Sequence, residues 1–439
     1  MTAPAGSPPS GRPSAATPPP SAEGPDGRGE PVDAAGRLHV LDALRGFALF
    51  GILQANVLTF SGLFFLAMVG DVDPSPLDTA VGFVIEALVH GKFYSLFSLL
   101  FGIGFCLFLQ RAEANGRATL PLFRRRLWLL LGIGVLHATL MWSGDILMLY
   151  ALVGFALVPF HRLRSRTVLA WAAGLLALPV LAYALMWGAG MADPLGPPAV
   201  DPADAAPAAG GGFDPIAFMI AGFRGGYLDV LQANLVQLAG RWVDLLVTLR
   251  PAKVLGMFLL GLWIGRHGVA RDLDAHAPLI RRVASWGLGL GLPLNVAAAW
   301  LAADATPYLP GSPAGMAEVL IAAIGVPLLA LGYAAGIALL VRSPATSRVP
   351  MALAPVGRLA LTNYLLQSLA CMFVFYGFGL GLYGQVGTAT AAGIALLIFA
   401  VQLLLSRWWL RHYRYGPAEW AWRRLTYRVP VALKRTAAA

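Results

Sequence analysis

Apolar runs of about twenty residues recur along this chain, separated by short polar loops, and that recurrence restricts what the chain can become. A segment of this length in hydrocarbon has no water to satisfy its backbone, so it closes its own hydrogen bonds as an α-helix. The expected spans are 41–62, 92–110, 127–142, the return from the Ser143–Gly144–Asp145 turn to about 160, 168–190, 252–266, 284–302, 316–341, 353–376 and 388–406. Of the 439 residues, 58% are hydrophobic and only 12% are charged, against about 25% in a soluble domain. The fold class expected is all-α: a polytopic membrane helix bundle of about ten transmembrane helices.

The charge pattern orients that bundle. The formal charge of +10 could suggest nucleic acid, but lysine occurs only at Lys92, Lys253 and Lys434, and the arginines sit in short loops between spans. Loops holding Arg111 to Arg126, Arg162 to Arg166, Arg266 to Arg282 and Arg342 to Arg348 alternate with loops that lack bases. The positive-inside rule then places both termini in the cytoplasm of a multi-pass inner (plasma) membrane protein, with no nucleic-acid partner. Residues 1–36, rich in Pro, Ala, Gly and Ser, read as a disordered cytoplasmic tail with no cleavable leader pattern. Residues 37–190 form an N-terminal half of five helices, and 191–250 an extracytoplasmic loop with an amphipathic segment along the membrane surface. Residues 251–410 form a second half of five helices, and 411–439 a basic cytoplasmic tail. Residues 79–89 read as an interfacial or half-inserted piece. Cys106 and Cys371 lie in apolar runs and make no metal or disulfide pattern, and no metal site is expected.

Five polar constellations stand out against this background. In the first span Asp42 and Arg45 are three apart and share a helical face. Asn56 returns to that face three turns later, about 16 Å along the axis. An arginine there costs on the order of 3 kcal/mol on insertion scales, so it normally faces a partner or a wet cavity. The plainer reading is an anchor at the cytoplasmic end, with Arg45 snorkelling and Asp42 capping. In the hairpin of the third and fourth spans, His137 lies inside an apolar run and Asp145 at the turn. A histidine oriented by a carboxylate can act as a general base; otherwise His137 bonds a backbone carbonyl and Asp145 caps the next helix.

Glu86, His90 and Lys92 form the third group, at the mouth of the second span. They can bind an anion or relay protons, or simply mark the water interface. The fourth, G-R-L-A-L-T-N-Y-L-L-Q-S, carries Arg358, Asn363 and Gln367; the last two are one turn apart and suit interhelical hydrogen bonds or substrate contact. The fifth is R-Y-G-P-A-E-W-A-W-R-R in the tail, where Glu419 and Arg423 form an i, i+4 pair and the arginines can hold a phosphorylated ligand or anchor the tail. No Walker loop, G-x-S-x-G or H-E-x-x-H occurs.

Five motifs in order carry a family resemblance: L-D-A-L-R-G-F-A-L-F-G-I-L-Q-A-N, K-F-Y-S-L-F-S-L-L-F-G-I-G-F, W-S-G-D-I-L-M-L-Y-A, G-R-L-A-L-T-N-Y-L-L-Q-S and Y-G-P-A-E-W-A-W-R. With them the chain resembles the YeiB-like bacterial membrane proteins, whose C-terminal half is the domain of unknown function 418. Its first helix is also similar to that of the transmembrane acyltransferases, the acyltransferase-three and heparan-glucosaminide acetyltransferase families. That resemblance implies transfer of an acyl group from cytoplasmic acyl-CoA to an extracytoplasmic or lipid-linked sugar or lipid acceptor. Arg45 matches the arginine of the acyltransferase-three pattern, while Asn56 stands where that pattern has its histidine. The heparan acetyltransferases have Asn at this point and a catalytic histidine eleven residues on, where this chain has Ala67. Either His137 or His90 then substitutes, or acyl-transfer chemistry is absent. In the first reading Asn56, His137 and Asp145 are catalytic, and Arg45, Asp42, Lys92, Arg358, Asn363, Gln367 and Glu419 contact substrate. Acyl-CoA is a cosubstrate, with no permanent cofactor. A transporter or flippase of a small metabolite or lipid precursor, and a non-catalytic membrane protein, are the alternatives.

Overall fold

The structure is a computed structural model that describes residue 2 and residues 38–114, 119–189, 213–303 and 313–435. The expected tail over 1–36 and much of the loop after residue 190 lie outside the described residues. The described chain is helical: α1 His39–Phe60, α2 Leu63–Met68, α3 Pro76–Leu88, α4 Lys92–Ala114, α5 Thr119–Leu140, α6 Leu147–Leu157 and α7 Ser165–Gly188. There follow α8 Pro215–Arg224, α9 Tyr227–Val247, α10 Arg250–Arg266, α11 Ala277–Gly289, α12 Gly291–Ala303 and α13 Pro313–Arg342. The last are α14 Arg348–Arg358, α15 Ala360–Phe375, α16 Thr388–His412 and α17 Pro417–Tyr427.

Among the described residues, six helices, or helix pairs running as one, are long and apolar enough to cross a membrane, and up to eight if two bent pairs each count as one span. The bent pairs are α9 with α10, turned by 64°, and α14 with α15, turned by 81°. Two elements expected to span fall outside this count. Helix α5 carries Arg124, Arg125 and Arg126, and α6 with its 3-10 extension to Arg162 is short. The expected single helix over 353–376 is also corrected, because Leu359 leaves helical geometry (φ −106°, ψ 36°) and the chain turns there. The half-inserted piece expected over 79–89 is the regular helix α3, started by a Ser75–Asp78 capping box.

Small residues set how closely these helices pack. Gly46 of α1 faces the Leu353 carbonyl of α14, and Gly357 of α14 faces the Asp42 carbonyl of α1. Gly102 and Gly261 serve α4 and α10 in the same way, against Phe258 and Leu99. Gly51 makes room for the ring of Phe93. A methyl group on Gly357 would overlap the backbone of α1, which cannot swing aside as a side chain does. Gly357→Ala is therefore expected to lower stability by about 1–3 kcal/mol. Thermal unfolding in detergent reads this directly, and a variant that melts with the wild type would show that α1 and α14 can part at no cost.

Candidate active site

The hairpin between α5 and α6 brings His137 back against Asp145. His137 Nδ1 stands 2.9 Å from Asp145 Oδ1, an ion-pair distance with both side chains 1% exposed, although the ring N–H is not aimed along that line. Asp145 also does what an aspartate at a helix start does: its Oδ2 accepts the Met148 N–H of α6 at 2.6 Å. The capping reading of this residue is thus met through Oδ2, while Oδ1 lies beside the His137 ring without a hydrogen bond to it. Tyr364 of α15 completes the surroundings. Its hydroxyl donates to Asp145 Oδ1 at 3.5 Å and accepts the Ile146 N–H at 3.3 Å, and its ring lies 5.1 Å from that of His137.

The other ring nitrogen meets a residue that sequence reasoning passed over. His137 Nε2 lies 2.8 Å from Ser368 Oγ, a partner 231 positions away on α15. A lone serine in an apolar helix usually bonds the carbonyl one turn back, and here that contact, to the Tyr364 carbonyl, is a long 3.5 Å. The one sequence signal was the placement of Tyr364 and Ser368 one turn apart on one face of α15. Asp145, His137 and Ser368 line up as a buried relay of carboxylate, imidazole and hydroxyl, hydrogen-bonded between imidazole and hydroxyl.

The remaining expected residues fall into three groups. Asn363 and Gln367 hold α15 in place. Asn363 Nδ2 donates to Ser406 Oγ at 3.0 Å and to the Val356 carbonyl at 3.1 Å, and Gln367 Nε2 donates to Gln402 Oε1 at 2.9 Å and to the Leu49 carbonyl at 3.5 Å. Arg358 ends α14 at the bend. Glu419 of α17 receives the Leu361 N–H at 2.7 Å, the Thr362 N–H at 3.1 Å and the Thr362 hydroxyl at 2.5 Å. These contacts cap α15, where a carboxylate is favoured by the exposed amides and the helix dipole. Burial nevertheless holds the Glu419 carboxyl above the ordinary carboxylate range. Glu419→Gln is expected to cost about 1–2 kcal/mol through the lost charge-assisted bonds, seen as a lower melting temperature. An unchanged melt would mean that α17 is held elsewhere.

A second group gathers where the arginine-rich loops meet. Arg45 pairs with buried Asp42 at 3.1 Å. Arg111 and Arg126 both lie within electrostatic range of Arg45, Arg423 and Tyr427, and Arg111 also senses Arg271. Arg126 stacks on Phe108 and Trp422, 4.9 and 4.4 Å from the ring centres, and Trp422 donates to its carbonyl. The tail helix α17 thus brings Arg423 within electrostatic range of Arg111 and Arg126, both of which also sense Arg45. Asn56 is half-buried on α1, one turn before Phe60, which stacks on Trp142 at 4.3 Å beside the end of α5.

The third group surrounds Lys92, which is 2% exposed and donates to the Glu86 carbonyl at 2.6 Å. His90 Nδ1 lies 2.8 Å from Glu86 Oε2, and Glu318 of α13 and Lys253 of α10 are within electrostatic range. Among the described residues no group of three or more His, Cys, Asp or Glu side chains is placed to hold a metal ion.

A helical membrane protein with a buried polar relay where α5, α6 and α15 meet is the class that this fold and site define. Residues 264–429 match the family described as Protein of unknown function (DUF418). The chain is 32% identical over 406 residues to the uncharacterized protein YxaH of Bacillus subtilis strain 168, covering 89% of this chain and 94% of that protein. It is 29% identical over 408 residues to the uncharacterized protein YeiB of Escherichia coli K12, covering 88% and 96%. A 39.9 kDa protein of Bacillus acidopullulyticus is 25% identical over 416 residues, covering 93% and 99%. The chain belongs to the YeiB-like DUF418 family of multi-pass membrane proteins.

Proposed function

We propose that the protein is a membrane-embedded acyltransferase, moving an acyl group from cytoplasmic acyl-CoA to an extracytoplasmic or lipid-linked hydroxyl or amine. The observation that carries this reading is His137 between a carboxylate and a hydroxyl, on the same helix as Arg126 of the arginine cluster. Arg126 and His137 are eleven residues apart on α5, about 16 Å along the axis. That is the scale of an extended pantetheine arm. Phosphates gathered by Arg45, Arg111, Arg126 and Arg423 would set the thioester beside the imidazole. His137, steadied by Asp145, takes the proton of the attacking group, and Asn56 orients the acyl carbonyl or the acceptor. The reading includes ten spans in the inner membrane with both termini cytoplasmic, so that the phosphates bind from the side where acyl-CoA is made.

Purified protein in detergent or nanodiscs is expected to bind acyl-CoA and release free thiol when an acceptor lipid is supplied. A protein that neither binds acyl-CoA at high micromolar concentration nor releases thiol is not an acyltransferase. One observation favours transport as the second reading: Glu86, His90, Lys92, Lys253 and Glu318 gather from α3, α4, α10 and α13, as ionisable groups do along a substrate or proton path. Uptake or efflux in vesicles that Lys92→Ala abolishes and CoA leaves unchanged would favour that reading instead.

A further inference from the structure

The relay on α5 and α15 is complete without any acceptor, because the protein's own hydroxyl already occupies the place of the attacking group. We infer that Ser368 is the first acyl acceptor, and that transfer runs through a serine ester on α15 rather than directly from thioester to acceptor. The inference rests on the acyltransferase reading and specifies its chemistry.

The hydrogen-bonding directions lead to it. An ionised Asp145 only accepts, and it already receives the Met148 N–H and the Tyr364 hydroxyl. With Asp145 ionised, the ring nitrogen 2.9 Å from its Oδ1 carries the proton, although that N–H does not point along the line to it. In a neutral imidazole Nε2 is then the acceptor, and the hydroxyl 2.8 Å from it donates. This is the arrangement in which a serine is activated as a nucleophile by an adjacent base that a third group orients. Ser368 is 2% exposed, so an ester formed there would be shielded from water while the acceptor arrives.

The surroundings favour an acceptor that arrives through the lipid. Helices α5 and α15 do not pack closely along their length. Next to the relay stand exposed apolar residues, Leu136 and Leu140 on α5 and Leu369 on α15.

The chemistry balances. Ser368 Oγ attacks the thioester carbonyl, His137 takes the hydroxyl proton, the carbon–sulfur bond breaks, and the proton passes to the departing thiolate. The acceptor hydroxyl or amine then attacks the serine ester, its proton moves through His137 to Ser368 Oγ, and the carbon–oxygen bond to serine breaks. The net products are the acylated acceptor and free thiol.

The test uses the full chain in nanodiscs, treated with acetyl-CoA, with palmitoyl-CoA, or with a fluorophosphonate probe, followed by peptide mass analysis. The expected result is an acyl or phosphonyl adduct on the peptide holding Ser368, absent in Ser368→Ala and in His137→Ala. Acyl transfer is expected to fall at least ~1000-fold in Ser368→Ala, whose melting temperature is compared with wild type to confirm folding. Ser368→Cys, which keeps a nucleophile, is expected to trap a thioester that neutral hydroxylamine releases. If Ser368→Ala transfers acyl groups within about threefold of wild type, transfer is direct; this inference then fails and the acyltransferase reading stands. If wild type gains no adduct from any reagent and releases no thiol, both fail together.

Discussion

Asp145→Asn is expected to lower acyl transfer by about 1000- to 10,000-fold while leaving the protein folded. The size follows from the role: a carboxylate that fixes the tautomer of a catalytic imidazole is worth that much when an amide replaces it, because the amide can donate to the ring and turn it the wrong way. The choice of asparagine keeps the test clean. Asp145 Oδ2 caps α6 through the Met148 N–H, and asparagine caps a helix as well as aspartate does. Alanine would remove both functions and add about 1 kcal/mol of cap loss to the kinetic effect. His137→Gln supplies the companion measurement, since it keeps polar contacts toward Ser368 and Asp145 but cannot take up a proton. Thiol release and melting temperature are measured side by side. Activity within fivefold of wild type in Asp145→Asn, at an unchanged melting temperature, would reduce the relay to packing.

How far these features could be read in the sequence depends on how far apart in the chain their parts lie. His137 and Asp145 flank one tight turn, so their pairing is local, and the hairpin announces it. Ser368 is 231 residues from His137. Nothing in an apolar run distinguishes a serine that bonds its own helix from one aimed at a histidine elsewhere. The bend at Leu359 was equally hidden, because the residues on either side read as one hydrophobic stretch, and the turn depends on Glu419 arriving from the tail to cap α15. Asn363 and Gln367 were legible as interhelical donors, but their partners Ser406 and Gln402 were not. The ten spans expected and the six to eight helices that are long and apolar enough to cross a membrane among the described residues differ for another reason. The positive-inside pattern counts loops, whereas length and apolarity count helices, and α5 and α6 satisfy the first measure better than the second.

Removing charge from the arginine cluster is expected to separate the two ends of the donor. Each guanidinium that bonds a phosphate contributes about 1.5–3 kcal/mol, so Arg423→Gln should weaken acyl-CoA binding by about 10- to 100-fold. An acyl-pantetheine thioester, which lacks the nucleotide phosphates, should bind and react with the variant as with wild type. Arg45 needs a different design. Arg45→Gln alone takes one cation away from Asp42, which is 3% exposed, and removing an ion partner of a buried carboxylate lowers stability whatever the ligand. The double change Asp42→Asn with Arg45→Gln removes the pair together and leaves the loss of anion binding to be measured by itself. Affinity of the wild type should also fall with rising salt, since exposed charges are screened within about 10 Å at 0.1 M. Arg126 is the least suitable position to alter, because its stacking on Phe108 and Trp422 ties α4, α5 and α17 together. Equal losses for acyl-CoA and acyl-pantetheine in Arg423→Gln would place the phosphates elsewhere and leave these arginines to hold the tail against the bundle.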